Sequence, residues 1–217
     1  MRRWAILLAT TAFLFFVPRI LSQSRVLSQF SRSGLNDFLA GRIAPEVTEF
    51  GEIKMTRQDV LAWMQRARTA RQARDRGIAI ANLQNCAWIL LDVPETKPVA
   101  MELLNTWVLP HVTSLRTLPR TSSCSYENVV FGIYACYKQA GDVQGQRRVL
   151  DLLSTQAREP GLRDLAVLRL AGLKAAEGSL REAIELARRA DSRGEFSKAR
   201  AQLMATWQED LKEKRKR

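Results

Sequence analysis

The chain has 217 residues, of which 46% are hydrophobic and 26% charged, and it carries a formal charge of +12. That length supports one core of ordinary size, and the composition excludes a chain that is disordered throughout. The charge would point to nucleic acid or an acidic membrane, but it is gathered at the ends. Residues 1–36 hold five arginines and no acid (+5), residues 212–217 hold five bases and Glu213 (+4), and only +3 is left for the stretch between.

Residues 4–17 are uncharged, with Thr10 and Thr11 their only polar members, and Pro18 and Arg19 end the run. Fourteen helical residues rise about 21 Å, short of the roughly 30 Å hydrocarbon core of a bilayer. The run therefore suits the core of a signal peptide. A small-x-small cleavage site is missing; the best cut falls after Ser22, with Ile20 two places before it. An uncleaved anchor extended by Ile20 and Leu21 is the other option. Residues 1–21 are accordingly predicted to be a signal peptide or membrane anchor, leaving the protein on the extracytoplasmic (periplasmic) side of a membrane. A mitochondrial transit peptide is the rival, because the segment is rich in Arg and Ser and lacks acids, although its density of Leu and Phe leaves it without a polar face.

Residues 22–55 read as a linker, because Ser22, Ser24, Ser28, Ser31 and Ser33, then Gly34, Gly41 and Pro45, interrupt any sustained period. A single weak helical turn is allowed by Val26, Leu27, Phe30 and Leu35. From Thr56 the pattern is helical. Thr56 followed by Asp59 is a helix start, and Val60, Trp63, Met64 and Ala67 give its apolar face. Arg57, Arg66, Arg68, Arg71, Arg74 and Arg76 form a basic row against Asp59 and Asp75, which reads first as a solvated face and second as a grip for phosphates or an acidic partner. Gly77 is expected to break this helix. Residues 78–91 form the next, stopped by Asp92, Val93 and Pro94; Met101, Leu104 and Val108 mark a third, ending at Pro110. Residues 111–125 read as a connecting loop, with Ser125 or Ser123 capping the helix that begins at Tyr126.

Residues 126–160 and 163–193 then repeat one plan: a long amphipathic helix, a glycine stop and a second helix. The stops, Gly141 and Gly178, lie 37 residues apart, a period typical of stacked helix pairs. In the first copy Val130, Ile133, Tyr134 and Tyr137, and in the second Val167, Leu170 and Ala171 with Ala183, Ile184, Ala187 and Ala190 on the following helix, match the spacing of the tetratricopeptide repeat. The segment 126–190 thus resembles a divergent member of that family. Arg148 stands where a small residue is expected, Lys174 replaces an aromatic, and Glu195 a closing proline. Residues 195–214 read as a more polar helix covering the end of the stack.

Chemistry finds little footing. His111 is the only histidine, Cys86, Cys124 and Cys136 show no C-x-x-C spacing, and no phosphate loop, H-E-x-x-H or G-x-S-x-G occurs. No catalytic, cofactor or metal site is nominated.

The expected fold is all-α: stacked antiparallel helix hairpins, a TPR-like α-solenoid over residues 56–214, with a basic tail at 215–217. The resemblance implies a scaffold or adaptor module without catalytic activity that holds another protein or peptide in a concave groove. It implies contacts at Asn128, Phe131, Lys138 and Leu168, with Gly172 and Ala175 lining the second repeat. The alternative is a basic organellar or ribosome-associated protein that binds RNA through the arginine row and the tail.

Overall fold

The computed structural model describes residues 35–42, 47–50, 53–191 and 193–216. The predicted leader at 1–21, much of the predicted linker and Arg217 of the basic tail lie outside the described residues. Helices dominate among them, and the strands are a single antiparallel pair.

The first elements fall where the sequence reads as linker. A short helix, α1 (Leu35–Leu39), precedes β1 (Val47–Phe50) and β2 (Ile53–Thr56), which pair with Val47 opposite Thr56 and Phe50 opposite Ile53. Leu35 and Phe38 are buried in the main core, and the Leu35 amide donates to Glu102 Oε2 at 2.6 Å. Contacts with residues far along the chain hold α1 in place, and no local period announces those.

Helix α2 (Arg57–Thr69) starts at a complete capping box: Thr56 Oγ1 accepts from the Asp59 amide, and Asp59 Oδ2 accepts from the Thr56 amide at 2.8 Å. The chain turns at residues 70–72, and α3 (Ala73–Leu91) follows. Gly77 lies inside α3 and does not break it. A Cβ there would stand 2.5 Å from Leu118 Cδ1 and 3.3 Å from Leu115 Cδ2, so this glycine lets another segment approach closely. Helix α4 (Lys97–Leu103) runs into a π-helical turn, Leu104–Val108, and then a 3-10 stretch, Leu109–Thr117. Pro110 therefore opens a new helical stretch, where its missing N–H costs nothing, instead of closing the old one.

Ser125 caps α5 (Tyr126–Ala140), its side chain accepting from the Asn128 amide. Gly141 ends α5 with φ +72°, and the Asp142 amide reaches back to Tyr137 O at 2.9 Å. Such a left-handed stop is open to glycine and strained for other residues. Asp142 then caps α6 (Val143–Gln156), accepting from the Gly145 amide at 2.9 Å. Helix α7 (Pro160–Ala176) closes the same way at Gly178, φ +84°, with the Ser179 amide on Lys174 O at 3.0 Å. Helices α8 (Leu180–Arg188) and α9 (Ser197–Lys216) complete the described chain.

Packing divides into two regimes. Helix α3 is a hub that touches α2, α4, α5 and the segments on either side of Val108. Helix α5 packs on α3, the 3-10 stretch and α6, and from α6 onward each helix packs mainly on its neighbours in the chain. The buried apolar residues form two clusters that meet at α7. Ala166, with Leu162, Leu170 and Leu173, belongs to the larger one, which reaches back to α1; Leu168 and Ala171 join Leu180, Ala183, Ile184, Ala187 and Trp207 in the smaller.

Candidate functional site

Helix α5 is buried on most of its circumference by Tyr126, Val129, Val130, Ile133, Tyr134, Cys136, Tyr137 and Ala140. Asn128, Phe131 and Lys138 are left exposed, with Ala135 half-buried between them. Their spacing of three, four and three residues makes a single stripe along the helix. Phe131 is 38% exposed, and Leu61 and Val143 are the other large apolar side chains left so open among the described residues.

Both flanks of the stripe are fixed by specific contacts. On the α3 side, Gly132 faces Gln84, and a Cβ at that position would lie 2.6 Å from Gln84 Oε1; Gln84 Nε2 reaches Cys136 Sγ at 3.8 Å. Further along, Gln139 Nε2 donates to Asp92 Oδ1 at 2.8 Å, which ties the end of α5 to the end of α3. On the α7 side, the Arg169 guanidinium stands over the Tyr134 ring at 5.5 Å, and the Tyr134 ring lies 5.9 Å from that of Phe131, tilted by 44°. The stripe thus lies on α5 between an amide of α3 and a guanidinium of α7.

The start of α5 is pinned by charge. Glu127, 5% exposed, receives Arg158 Nε and NH2 at 2.9 and 2.7 Å and the Arg158 amide at 3.0 Å. The same guanidinium donates to Leu118 O at 2.8 Å and Arg116 O at 3.1 Å. These bonds hold the Glu127 carboxyl down to about 2, chiefly through the Arg158 side chain. One ion pair therefore joins α5, the end of the 3-10 stretch and the α6–α7 joint. On the opposite side, Asn105 in the π-helical turn accepts from Tyr137 Oη at 2.8 Å and Arg148 NH2 at 3.1 Å.

Of the four residues expected to contact a partner, Asn128, Phe131 and Lys138 come together on the α5 stripe. Leu168 does not: it is 5% exposed and lies in the smaller apolar cluster, because α7 is covered by α6 on one side and α8 on the other. Gly172 is half-buried with open space where a Cβ would stand. At Gly145 a Cβ would overlap the Tyr137 ring, so this glycine lets α6 approach α5 closely. A glycine in the first turn of a helix, where propensity disfavours it, is the signal that marks this approach in the sequence.

The three cysteines are buried and free. Burial pushes the Cys86 and Cys136 thiols up to about 12, which favours the protonated form of both at neutral pH. His111 is exposed on the 3-10 stretch. Among the described residues no group of three His, Cys, Asp or Glu side chains is placed to hold a metal ion, and no helix is long and apolar enough to cross a membrane.

No family model, curated protein or solved structure matches the chain.

Proposed function

We propose that this protein is a TPR-like helical-repeat scaffold, membrane-tethered or exported by its N-terminal segment, that binds a segment of another protein on the α5 stripe and has no catalytic activity of its own. The observation that carries the reading is Phe131, an exposed aromatic between Asn128 and Lys138. A half-open ring flanked by an amide and an ammonium is the kind of anchor on which peptide recognition concentrates its energy. The run of sequential contacts from α5 to α9, with glycine stops at 141 and 178, supports the solenoid part of the reading.

Two experiments test it. A photocrosslinking amino acid placed at Phe131 or Lys138 in the producing cell should give a discrete protein adduct, while the same label at Asp151 on α6 or Arg181 on α8, both exposed, should not. Equal labelling at all four positions, or none at the first two, would overturn the binding surface. Carbonate extraction of the full-length protein, with N-terminal sequencing of the mature form, tests the tether: release into the soluble fraction with an uncut leader would remove it.

A further inference from the structure

Where α2 meets α3 the surface is strongly cationic. Residues 57–76 hold six arginines against Asp59 and Asp75, a balance of +4, while the rest of residues 37–211 comes to −1. Arg66 pairs with Asp75 at 3.3 Å, and Arg76 donates to Ala70 O at 2.8 Å, which draws the end of α2 onto the start of α3. Arg68 stands 4.3 Å over the Trp107 ring and Arg66 5.6 Å over that of Trp63. Arg71 and Arg74 are exposed, and no acid among the described residues pairs with either. Leu61, 45% exposed, lies two helical turns before Arg68 and so on the same stripe of α2.

Trp63 faces the core from the other side of α2, but Arg68 over Trp107 and the exposed Leu61 share one stripe, a combination suited to the boundary between water and lipid. Guanidinium groups meet phosphates, indole rings lie at headgroup depth, and the aliphatic side chain gains by leaving water. Single-stranded nucleic acid instead seeks open aromatic faces for its bases. Here Trp63 and Trp107 are half-buried and each already carries a guanidinium, while Leu61 offers a nucleotide no polar partner.

We propose that this corner, through Leu61, Arg68, Arg71 and Arg74 with Trp107 beneath Arg68, docks on an anionic bilayer surface. The proposal deepens the membrane-tethered reading above and rests on it. Each basic residue near such a surface strengthens binding about fivefold, so Arg71→Gln with Arg74→Gln should weaken it roughly 30-fold.

The test uses the full chain in nanodiscs of phosphatidylcholine and in nanodiscs of equal parts phosphatidylcholine and phosphatidylglycerol, read by hydrogen exchange. Slower exchange over residues 57–76 in the anionic discs alone, abolished by the double substitution and reduced by Leu61→Gln, is the expected result. Identical exchange in both lipids overturns the docking and leaves the tether standing. Failure to enter either disc removes the tether instead. Co-pelleting with vesicles of the same two mixtures then reads the docking directly, and no preference for the anionic vesicles overturns it. Protection of the same residues by oligouridylate RNA, but not by anionic lipid, would reassign the corner to nucleic acid and also overturn the proposal.

Discussion

Glu127 shows how much one carboxylate contributes here. Its folded-state pKa, about 2, lies below its ordinary 4.5, so its contribution is present in full above the ordinary value and is lost as pH falls from about 4.5 toward 2. Denaturant unfolding at pH 7 and pH 3 should show the chain losing stability between the two. Glu127→Gln leaves the Arg158 guanidinium without its carboxylate and should cost about 3 kcal/mol at pH 7. The variant should also lose less than the parent between pH 7 and pH 3, since the titrating group is gone. An equal loss in both would place the acid sensitivity elsewhere.

At the scale of the helices, small residues decide how closely neighbours approach. A methyl at Gly145 would enter the Tyr137 ring, which Asn105 holds by its hydroxyl, so Gly145→Ala should destabilise by about 1–3 kcal/mol as α5 and α6 are forced apart. Gly172 lies in the interior of α7, and a methyl added there would have nothing within 4 Å. Gly172→Ala should stabilise by about 0.5–1 kcal/mol through helix propensity and a less free unfolded chain. Thermal melts of the two variants should move in opposite directions. The same contrast explains which features are legible in the sequence. Caps depend on a few adjacent residues, so Thr56 with Asp59, Ser125, Gly141 and Gly178 can be read from the chain. Gly77 reads as a break and is a packing glycine, because its reason is Leu115 and Leu118, distant in sequence. Likewise α1 and the strand pair fall within the expected linker, since their burial and pairing depend on partners that periodicity does not report. The α5 stripe of Asn128, Phe131 and Lys138 is reached through the tetratricopeptide resemblance, and helical spacing then keeps the three on one side of the helix. For Leu168 the same resemblance fails, because α7 has two covered sides and one period cannot say which neighbour takes which.

Across the whole molecule, stability should be graded along the chain. Helix α3 is braced by several neighbours, whereas α9 packs on α8, and among the described residues that end is buried by the smaller cluster around Ile184 and Trp207. Native-state hydrogen exchange should find amides of α8 and α9 opening at lower free energy than those of α3 and α5. Uniform opening energies would show instead that the described helices unfold as one unit. The division of the two clusters at α7 has a further mechanical meaning. A helix that keeps one flank for each side can hold its place when the far side peels away, so tension applied at the carboxyl end should first release the last two helices and pause there, with Leu168 and Ala171 bared to solvent while the α5 face keeps its shape.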